Sequence, residues 1–156
     1  MQPLRLDSSP VLHRTYEGQE CSIARTLEIV GERWTFLILR DAISRDVRRY
    51  ADFQRSLGIA RNVLAARLVR LCEHGLLERR RYREDPDLYE YVPTQKGLDL
   101  FPALVAMMRW GDRYLADGDP PGVLEHEGCG GTPVQALTCP DCGQELSATD
   151  VVVRTG

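Results

Sequence analysis

Three cysteines and one histidine lie close together near the C-terminus of the 156-residue chain. They are His126, Cys129, Cys139 and Cys142, which form two pairs of potential ligands with two residues between the members of each pair. Zn²⁺ binds thiolates and imidazoles in tetrahedral sites, and short Cys-x-x-Cys turns supply two such donors each. A segment of about 40 residues buries little core of its own, so a metal would stabilise it. The spacing therefore predicts one structural zinc ion with these four ligands.

Other chemistry remains open for the same residues. Cys139 and Cys142 are also compatible with a disulfide or with the redox pair of a thiol-disulfide oxidoreductase. His126 is compatible with an ordinary exposed histidine, whose place a neighbouring glutamate or water would take, and the turn is compatible with no metal at all. Because a thioredoxin-like pair lies near a βαβ unit and the sequence predicts none, we do not expect an enzyme. The tail, residues 117–156, is expected to be zinc-ribbon-like.

Cys21 is a further residue with possible reactivity, outside the tail. It stands immediately before a predicted helix, where unpaired N–H groups and the helix dipole favour a thiolate and lower the pKa of a thiol. This position makes Cys21 a possible redox sensor. The alternative is a small residue that packs against the start of the helix, as unpaired cysteines often do.

Charge is strongly segregated along the chain, although the net charge is only -3. Residues 21–116 carry 17 basic and 13 acidic side chains, whereas residues 117–156 carry one basic and seven acidic. Nineteen of the twenty basic residues are arginine, which binds phosphate and guanine in a bidentate manner. The central segment is therefore a candidate for binding nucleic acid.

The elements that would position these residues follow from apolar spacing. Helical periodicity predicts four helices, at residues 22–30, 34–43, 50–57 and 61–74. Gly31 is expected to end the first helix in the left-handed conformation, and Gly58 separates the third helix from the fourth. Two helices joined by about three residues that include glycine are the sequence form of a helix-turn-helix, whose second helix enters the major groove of DNA. The fourth helix is the predicted recognition helix.

A β-hairpin is predicted directly after the recognition helix, over residues 76–83 and 88–92. Its first strand is rich in arginine on both faces, which suits a phosphate surface and a DNA-binding wing; the alternative is a charged edge that prevents aggregation. The predicted DNA-contacting residues are Arg61, Asn62, Ala65, Ala66 and Arg67 on the helix and Arg79, Arg80, Arg81 and Arg83 on the wing. Of these, Arg61 and Asn62 are expected to contact guanine and adenine directly.

A long apolar helix is predicted from residue 94 to about 115, with Thr94 as its N-cap and a kink or break near Pro102. Its apolar surface is wider than one small domain can cover, which predicts a twofold partner. The alternative is that the tail folds back over this helix.

The order of these elements resembles the HxlR family of winged helix-turn-helix regulators, which are related to MarR regulators. The resemblance is carried by Cys21-Ser22-Ile23-Ala24, Gly31-Glu32-Arg33-Trp34-Thr35, Leu37-Ile38-Leu39-Arg40, Phe53, Leu57, Ile59, Asn62-Val63-Leu64, Arg67-Leu68, Leu71, Gly75-Leu76-Leu77-Glu78-Arg79, Tyr91, Thr94 and Lys96-Gly97. It implies a homodimer in which each recognition helix enters a major groove and terminal helices form the interface. It also implies that a cysteine in the place of Cys21 can sense oxidants. The link at residues 44–49 is longer and more charged than is usual in the family.

Together these observations predict a mainly α-helical chain with a small β-hairpin wing, that is, a winged helix-turn-helix with a zinc-ribbon-like tail. The expected domains are an arm (1–20), the DNA-binding and dimerisation domain (21–116) and the linker with its tail (117–156). We predict a cytoplasmic transcriptional regulator that binds double-stranded DNA as a homodimer. It has a possible small-molecule effector and no membrane contact. The alternatives are the oxidoreductase and a zinc-knuckle adaptor that binds proteins.

Overall fold

The structure, a computed structural model, describes residues 16, 18, 21–84 and 86–154. The predicted arm, residues 1–20, lies outside the described residues except for Tyr16 and Gly18. The elements in chain order are α1 (Ser22–Val30), α2 (Thr35–Ser44), α3 (Tyr50–Leu57), α4 (Arg61–Glu73), β1 (Leu77–Arg83), β2 (Leu88–Pro93), α5 (Gln95–Leu98) and α6 (Phe101–Tyr114). The described chain is thus mainly helical with one antiparallel hairpin, which confirms the predicted winged helix-turn-helix, whereas the zinc-ribbon-like tail stays a prediction.

The core is built around α2, as its apolar sequence predicts. Ile38, Leu39 and Ala42 are completely buried, and Phe53 of α3 packs with them without any exposed surface. The predicted apolar stripe of α4 supplies Leu64, Leu68 and Leu71. Because each of these leucines removes nearly its whole apolar surface from water, each contributes roughly 1.5–3 kcal/mol to folding. The stripe fixes which side of α4 faces inward.

A buried carboxylate joins α2 to α3. Asp41 has no exposed surface, and its side chain pairs with Arg40 at 2.7 Å and with Arg45 at 3.5 Å. The hydroxyl of Ser56 donates a hydrogen bond to the same carboxylate at 2.6 Å. A buried charge is tolerated when it is paired and hydrogen-bonded in this way. Asp41 therefore ties the two helices together.

Glycine ends α1 and α3 for different reasons. Gly58 after α3 adopts a left-handed conformation with φ +61, which terminates the helix as predicted. The same expectation is wrong for Gly31, whose φ is -70. A Cβ at Gly31 would lie 2.5 Å from the backbone oxygen of Leu27. Space, and not a left-handed turn, requires glycine at this position.

The charged link before α3 forms an isolated β-bridge beside the hairpin. β1 and β2 pair antiparallel, with Arg79 opposite Tyr91 and Arg81 opposite Tyr89, and a bulge follows Arg81. The N–H of Tyr91 also donates to the carbonyl of Arg48 at 2.8 Å, next to a bridge between residues 49 and 90. The link therefore anchors the wing to the start of α3.

The predicted helix from 94 to 115 is two helices. Thr94 caps α5, since its hydroxyl accepts a hydrogen bond from the N–H of Gly97 at 3.2 Å. The helix stops after Leu98, and α6 restarts at Phe101 with Pro102 in its first turn. Proline has no N–H and cannot continue a helix, but it is well suited to a first turn. The break near Pro102 is thus the one the sequence predicts, and the continuous helix is not formed.

The described chain divides into two units, an N-terminal unit up to Asp99 and a C-terminal unit from Leu100. The division falls earlier than the predicted linker at residue 117, because the tail packs on α6. The side chain of Arg109 donates to the carbonyl of Pro133, and that of Gln135 donates to the carbonyl of Pro102 at 3.0 Å. The tail contains a single antiparallel bridge, between residues 138 and 145. None of the described helices is long and apolar enough to cross a membrane.

Candidate nucleic-acid interface and cysteine-rich tail

The outer face of α4 presents four of the predicted DNA-contacting residues together. Arg61, Asn62, Ala65 and Ala66 are all exposed, and their spacing places them on one side of the helix. Leu64, Leu68 and Leu71 occupy the opposite side and are buried. The outer face thus combines two polar side chains near the N-terminus of the helix with two small ones behind them. This is the arrangement that allows a helix to approach base edges closely.

Two contacts fix the turn before α4. Ile59 in the turn is buried, and the hydroxyl of Tyr50 at the start of α3 donates to the backbone carbonyl of Arg61 at 2.7 Å. This bond uses the main chain of Arg61 and leaves its guanidinium on the outer face. The two helices are therefore connected as in a helix-turn-helix.

Arg67 does not belong to the outer face. Its guanidinium forms an ion pair with Glu32 at 3.0 Å, and its side chain is only 23% exposed. One turn further along, Arg70 donates a hydrogen bond to the backbone carbonyl of Glu28 in α1. Arg67 was predicted to lie at the surface and to contact DNA, but the structure gives it a contact inside the protein. The sequence did not reveal this because Glu32 is distant in the chain.

The wing arginines project from both faces of the hairpin, as predicted, and several have carboxylate or aromatic neighbours. Arg80 pairs with Glu78 at 2.9 Å, and this hydrogen bond lowers the pKa of the Glu78 carboxyl. Arg81 pairs with Glu84 at 3.3 Å and with Asp87 at 3.2 Å. Arg83 is exposed at the end of β1. These pairs are formed by exposed side chains, so each is worth little in stability and is easily exchanged.

A cleft of about 410 Å³ lies between the wing and the start of α3. Arg79 stacks on Tyr89 with its guanidinium carbon 3.6 Å from the ring centre, and Arg49 lies 4.7 Å from the ring centre of Tyr82. All four residues line the cleft together with Tyr50. Arg49, Tyr82 and Tyr89 are not among the residues predicted from the sequence to form a site. Tyrosine at alternate positions of β2 was the available signal, since alternation places side chains on one face of a strand.

Cys21 occupies the N-cap position of α1 and is exposed, as the sequence predicts. The backbone N–H groups of Ala24 and, to a lesser extent, Ile23 lower the pKa of its thiol, although neither forms a well-aligned cap hydrogen bond. Cys72 in α4 is different, because its partial burial raises the pKa of its thiol. Among the cysteines of the N-terminal unit, Cys21 is therefore the more reactive.

The two cysteine-rich turns of the tail have the same backbone hydrogen-bond pattern. In each turn the first ligand residue exchanges two backbone hydrogen bonds with residues four and five positions later. In the first turn these join His126 to Gly131 and Gly130, both at 2.8 Å. In the second they join Cys139 to Gln144 at 2.9 Å and to Gly143 at 2.8 Å. Gly130 and Gly143 share the left-handed conformation, with φ +71 and +73. We call these turns the two knuckles.

Each knuckle brings its own pair of predicted ligands together. The Nδ1 atom of His126 lies 3.2 Å from the Sγ atom of Cys129. In the second knuckle, the N–H groups of Cys142 and then Asp141, followed by the Cys142 thiol, lower the pKa of the Cys139 thiol. Within residues 21–84 and 86–154, however, no three His, Cys, Asp or Glu side chains are close enough to hold a metal ion. The predicted four-ligand cluster is thus formed as two separate pairs.

Comparison with known proteins identifies relatives over the whole described chain. The family model for HxlR-like helix-turn-helix proteins matches residues 29–119. The uncharacterized HTH-type transcriptional regulator Rv3095 of Mycobacterium tuberculosis is 46% identical over 149 residues, which cover 95% of this chain and 92% of that protein. Such coverage extends from the helix-turn-helix through the tail.

Solved structures give the same result for the fold. The structure of PA1607, a candidate transcription factor, is 38% identical and matches with a TM-score of 0.80 over 89% of this chain and 97% of its own. The redox regulator HypR in its reduced form is 27% identical and matches with a TM-score of 0.55 over 60% of this chain and 92% of its own. The similarity to PA1607 includes part of the tail, whereas the similarity to HypR covers a shorter part of this chain.

Proposed function

Since the chain belongs to the HxlR-like helix-turn-helix family and is a transcriptional regulator, we propose that it binds double-stranded DNA as a homodimer through α4 and the wing. The observation that carries the proposal is the outer face of α4, on which Arg61, Asn62, Ala65 and Ala66 are all exposed. Family membership favours this function over the thiol oxidoreductase and the adaptor. The proposal goes beyond the family by assigning contacts to individual residues.

On the outer face, Arg61 and Asn62 are the residues that read bases. Arginine pairs in a bidentate manner with O6 and N7 of guanine, and asparagine with N6 and N7 of adenine. Ala65 and Ala66 bring the helix close to the groove floor, where a methyl group can contact the methyl of thymine. Arg67 is not assigned a base contact, because it pairs with Glu32 at 3.0 Å.

The wing arginines bind the phosphate backbone. Arg80 and Arg81 already pair with carboxylates at 2.9–3.3 Å, but these pairs are exposed and exchange at little cost. A phosphate, which carries a full negative charge and accepts bidentate hydrogen bonds, competes well for the same guanidinium groups. Arg79 and Arg83 extend this surface along β1. The wing therefore contributes affinity that depends on salt and little on sequence.

Dimerisation uses the face of α6 that the tail leaves uncovered. Met107, Trp110 and Tyr114 follow one another at helical spacing and are 55%, 58% and 59% exposed. Three large exposed side chains in one stripe are typical of a surface that binds a partner. A twofold partner would present two copies of α4 to half-sites about 34–36 Å apart along the DNA.

The proposal is tested by fluorescence anisotropy with DNA from the region upstream of the protein's own coding sequence. Replacing Arg61 or Asn62 by Ala should cost about 1–3 kcal/mol on the best site and reduce discrimination at one base position. Arg80→Ala should weaken binding to all sequences and lower the salt slope by about 1. Arg25→Ala on α1 is the matched control, since it removes an exposed arginine from another element. Equal effects of Arg61→Ala and Arg25→Ala would refute the assigned face.

We further propose that His126, Cys129, Cys139 and Cys142 hold one structural zinc ion. The repeated knuckle, with matching hydrogen bonds and left-handed glycines, supports this proposal because each turn offers two soft or borderline donors. The ion would link the two knuckles and stabilise the tail without performing catalysis. The knuckles would have to approach each other to bind it, since their four side chains do not converge.

Metal analysis of protein purified without chelators tests the zinc proposal. We expect about one zinc per chain, lost in Cys139→Ser and kept in Cys21→Ser, which removes a cysteine outside the tail. His126→Ala tests the imidazole and should weaken retention without affecting the N-terminal unit. Metal-free protein, or zinc retained in Cys139→Ser, would refute the four-ligand site.

A response to oxidants through Cys21 is the second candidate function, favoured by the exposed thiol and its lowered pKa. The similarity to the redox regulator HypR supports it. The Cys21 thiolate would attack peroxide, forming a sulfenic acid and releasing hydroxide. The change would reach α4 through Arg70, which bonds to Glu28 in the last turn of α1, and through Arg67, which pairs with Glu32 just beyond that helix.

Operator affinity before and after mild peroxide treatment tests this response. Oxidation should change the affinity of the parent and leave Cys21→Ser unaffected, with Cys72→Ser as the control cysteine. If the parent and Cys21→Ser respond alike, or if neither responds, Cys21 is not the sensor.

A further inference from the structure

The C-terminal unit contains a cavity of about 480 Å³ between α6 and the tail. Cavities of 300–1,000 Å³ with mainly apolar walls are the usual size for a drug-sized ligand. The apolar walls include Phe101, Val105, Leu124 and Val134, and two carboxylate residues, Glu125 and Glu127, also line the cavity. None of these residues has been assigned a role in DNA binding.

Two hydrogen bonds hold the walls of this cavity together. Gln135, itself a lining residue, donates from Nε2 to the carbonyl of Pro102 on α6 at 3.0 Å. Arg109 donates to the carbonyl of Pro133 from outside the lining. The remaining wall is the first knuckle, since His126 also lines the cavity. Both α6 and the tail are therefore needed to form it.

The charge of the residues that line the cavity determines whether it attracts a cation or an anion. Residues 117–156 carry one basic and seven acidic side chains, and two of the acidic ones line the cavity. Carboxylates at the edge of an apolar concavity attract a cation more strongly than they would in open water, because the walls lower the local dielectric constant. A neutral apolar ligand would gain nothing from them, and an anion would be repelled.

We propose that this cavity binds a small apolar organic cation, of the quaternary ammonium or phosphonium class, as an effector of the regulator. That it acts as an effector rests on the proposed function, whereas the binding itself does not. The ligand would contact Phe101 and Val105 on one side of α6. Met107, Trp110 and Tyr114 lie on the other side of the same helix, in the stripe assigned to the dimer. Because both surfaces belong to α6, binding of the cation in the cavity is coupled to the geometry of the proposed contact between subunits.

Two ions of the same shape and opposite charge test the binding. Tetraphenylphosphonium and tetraphenylborate each carry four phenyl groups around one charged centre, and calorimetric titration into the DNA-free, full-length protein as purified measures both. Ala136→Trp fills the cavity, since Ala136 lines it, so only binding that this variant abolishes is counted. We expect the cavity to prefer the phosphonium ion by at least roughly tenfold, the effect of one or two nearby charges.

Carboxylate variants test the origin of the preference. Glu125→Gln with Glu127→Gln should remove most of the selectivity and keep the apolar contribution. Glu145→Gln is the matched control, because it removes a tail carboxylate that does not line the cavity. Equal binding of the two ions, tighter binding of the borate, or selectivity unchanged in the double variant would overturn the proposal.

The remaining outcomes separate this proposal from the DNA-binding one. Operator affinity without either ion is measured first, because none of the proposed DNA-contacting or dimer residues lines the cavity. If DNA binds and the phosphonium ion does not, the cavity proposal fails and the proposed function stands. If neither ion binds and Ala136→Trp converts a dimer to a monomer in light scattering, the cavity is filled by a second copy, which also overturns the proposal.

Discussion

Among the glycines of the N-terminal unit, Gly97 in α5 leaves the least room for a Cβ, and replacing it by alanine should destabilise that unit strongly. A Cβ at Gly97 would lie 2.2 Å from the backbone oxygen of Leu76. That oxygen cannot move alone, because Leu76 is buried and its carbonyl also accepts the N–H of Thr94 at 3.1 Å. Forcing extra atoms into a packed site costs about 1–3 kcal/mol, and a backbone clash belongs at the upper end. The helix-forming gain of alanine returns at most about 1 kcal/mol. We therefore expect Gly97→Ala to cost about 2 kcal/mol or more.

Urea unfolding followed by tryptophan fluorescence measures this cost. The chain has two tryptophans, Trp34 in the N-terminal unit and Trp110 in the C-terminal unit. A Trp110→Phe background therefore reports only on the unit that contains Gly97. Gly58→Ala and Gly75→Ala are the controls, with φ of +61 and +68 and no atom within 4 Å of the added Cβ. They should cost about 1 kcal/mol each from left-handed strain alone. A cost for Gly97→Ala no larger than theirs would refute the steric argument.

Three further predictions concern other parts of the molecule. Asp41→Ala should lower the free energy of unfolding by about 1–3 kcal/mol, because it removes the hydrogen bond to Ser56 and the pairing with two arginines that stay partly exposed. Asp41→Asn should cost less because it keeps an acceptor for Ser56; urea titration of both variants tests this order. Trp110→Glu should give a single-chain mass in light scattering at micromolar concentration, and a persisting dimer would exclude the α6 stripe as the interface. Alkylation by iodoacetamide, followed by peptide mass spectrometry across pH, should reach its half-maximal rate at lower pH for Cys21 than for Cys72. The reason is that the thiolate forms at lower pH when the pKa is lowered, and the reverse order would contradict the assigned environments.

The helices of the N-terminal unit could be predicted because their apolar spacing and their burial agree. The predicted starts of α1, α3 and α4 coincide with the structure, and that of α2 differs by one residue. The strand-like link before α3 could not be predicted, since its single bridge depends on β2, which lies about forty residues later. The role of Gly31 could not be predicted either. A glycine that is needed for space looks the same in the sequence as one that is needed for a left-handed turn.

For the candidate interface, the sequence identified the elements better than the individual side chains. Periodicity separated the outer face of α4 from its buried stripe, but it left Arg67 near the boundary between them. Arg67 could be assigned to the inner contacts only from the structure, because the folded chain brings the carboxylate of Glu32 within 3.0 Å of its guanidinium. In the tail, spacing alone identified both ligand pairs. The equivalence of the two knuckles appeared only in their backbone hydrogen bonds, because the first lacks the proline of the second.

The separation of α4 into two faces has a consequence for how such a regulator can diverge. In the described part of the chain, the side chains of the outer-face residues Arg61, Asn62, Ala65 and Ala66 form no hydrogen bond or ion pair, and the one side-chain bond to Arg61 uses its backbone carbonyl. The opposite face supplies the core and the contacts to α1. Substitutions at these four positions therefore cost little in stability, and in the proposed mode of binding they change the DNA sequence that is recognised. After gene duplication, one copy can acquire new target genes through viable single steps. With the proposed dimer contact on α6 unchanged, the two copies would still form mixed dimers, and each mixed dimer would recognise a composite site with one old and one new half.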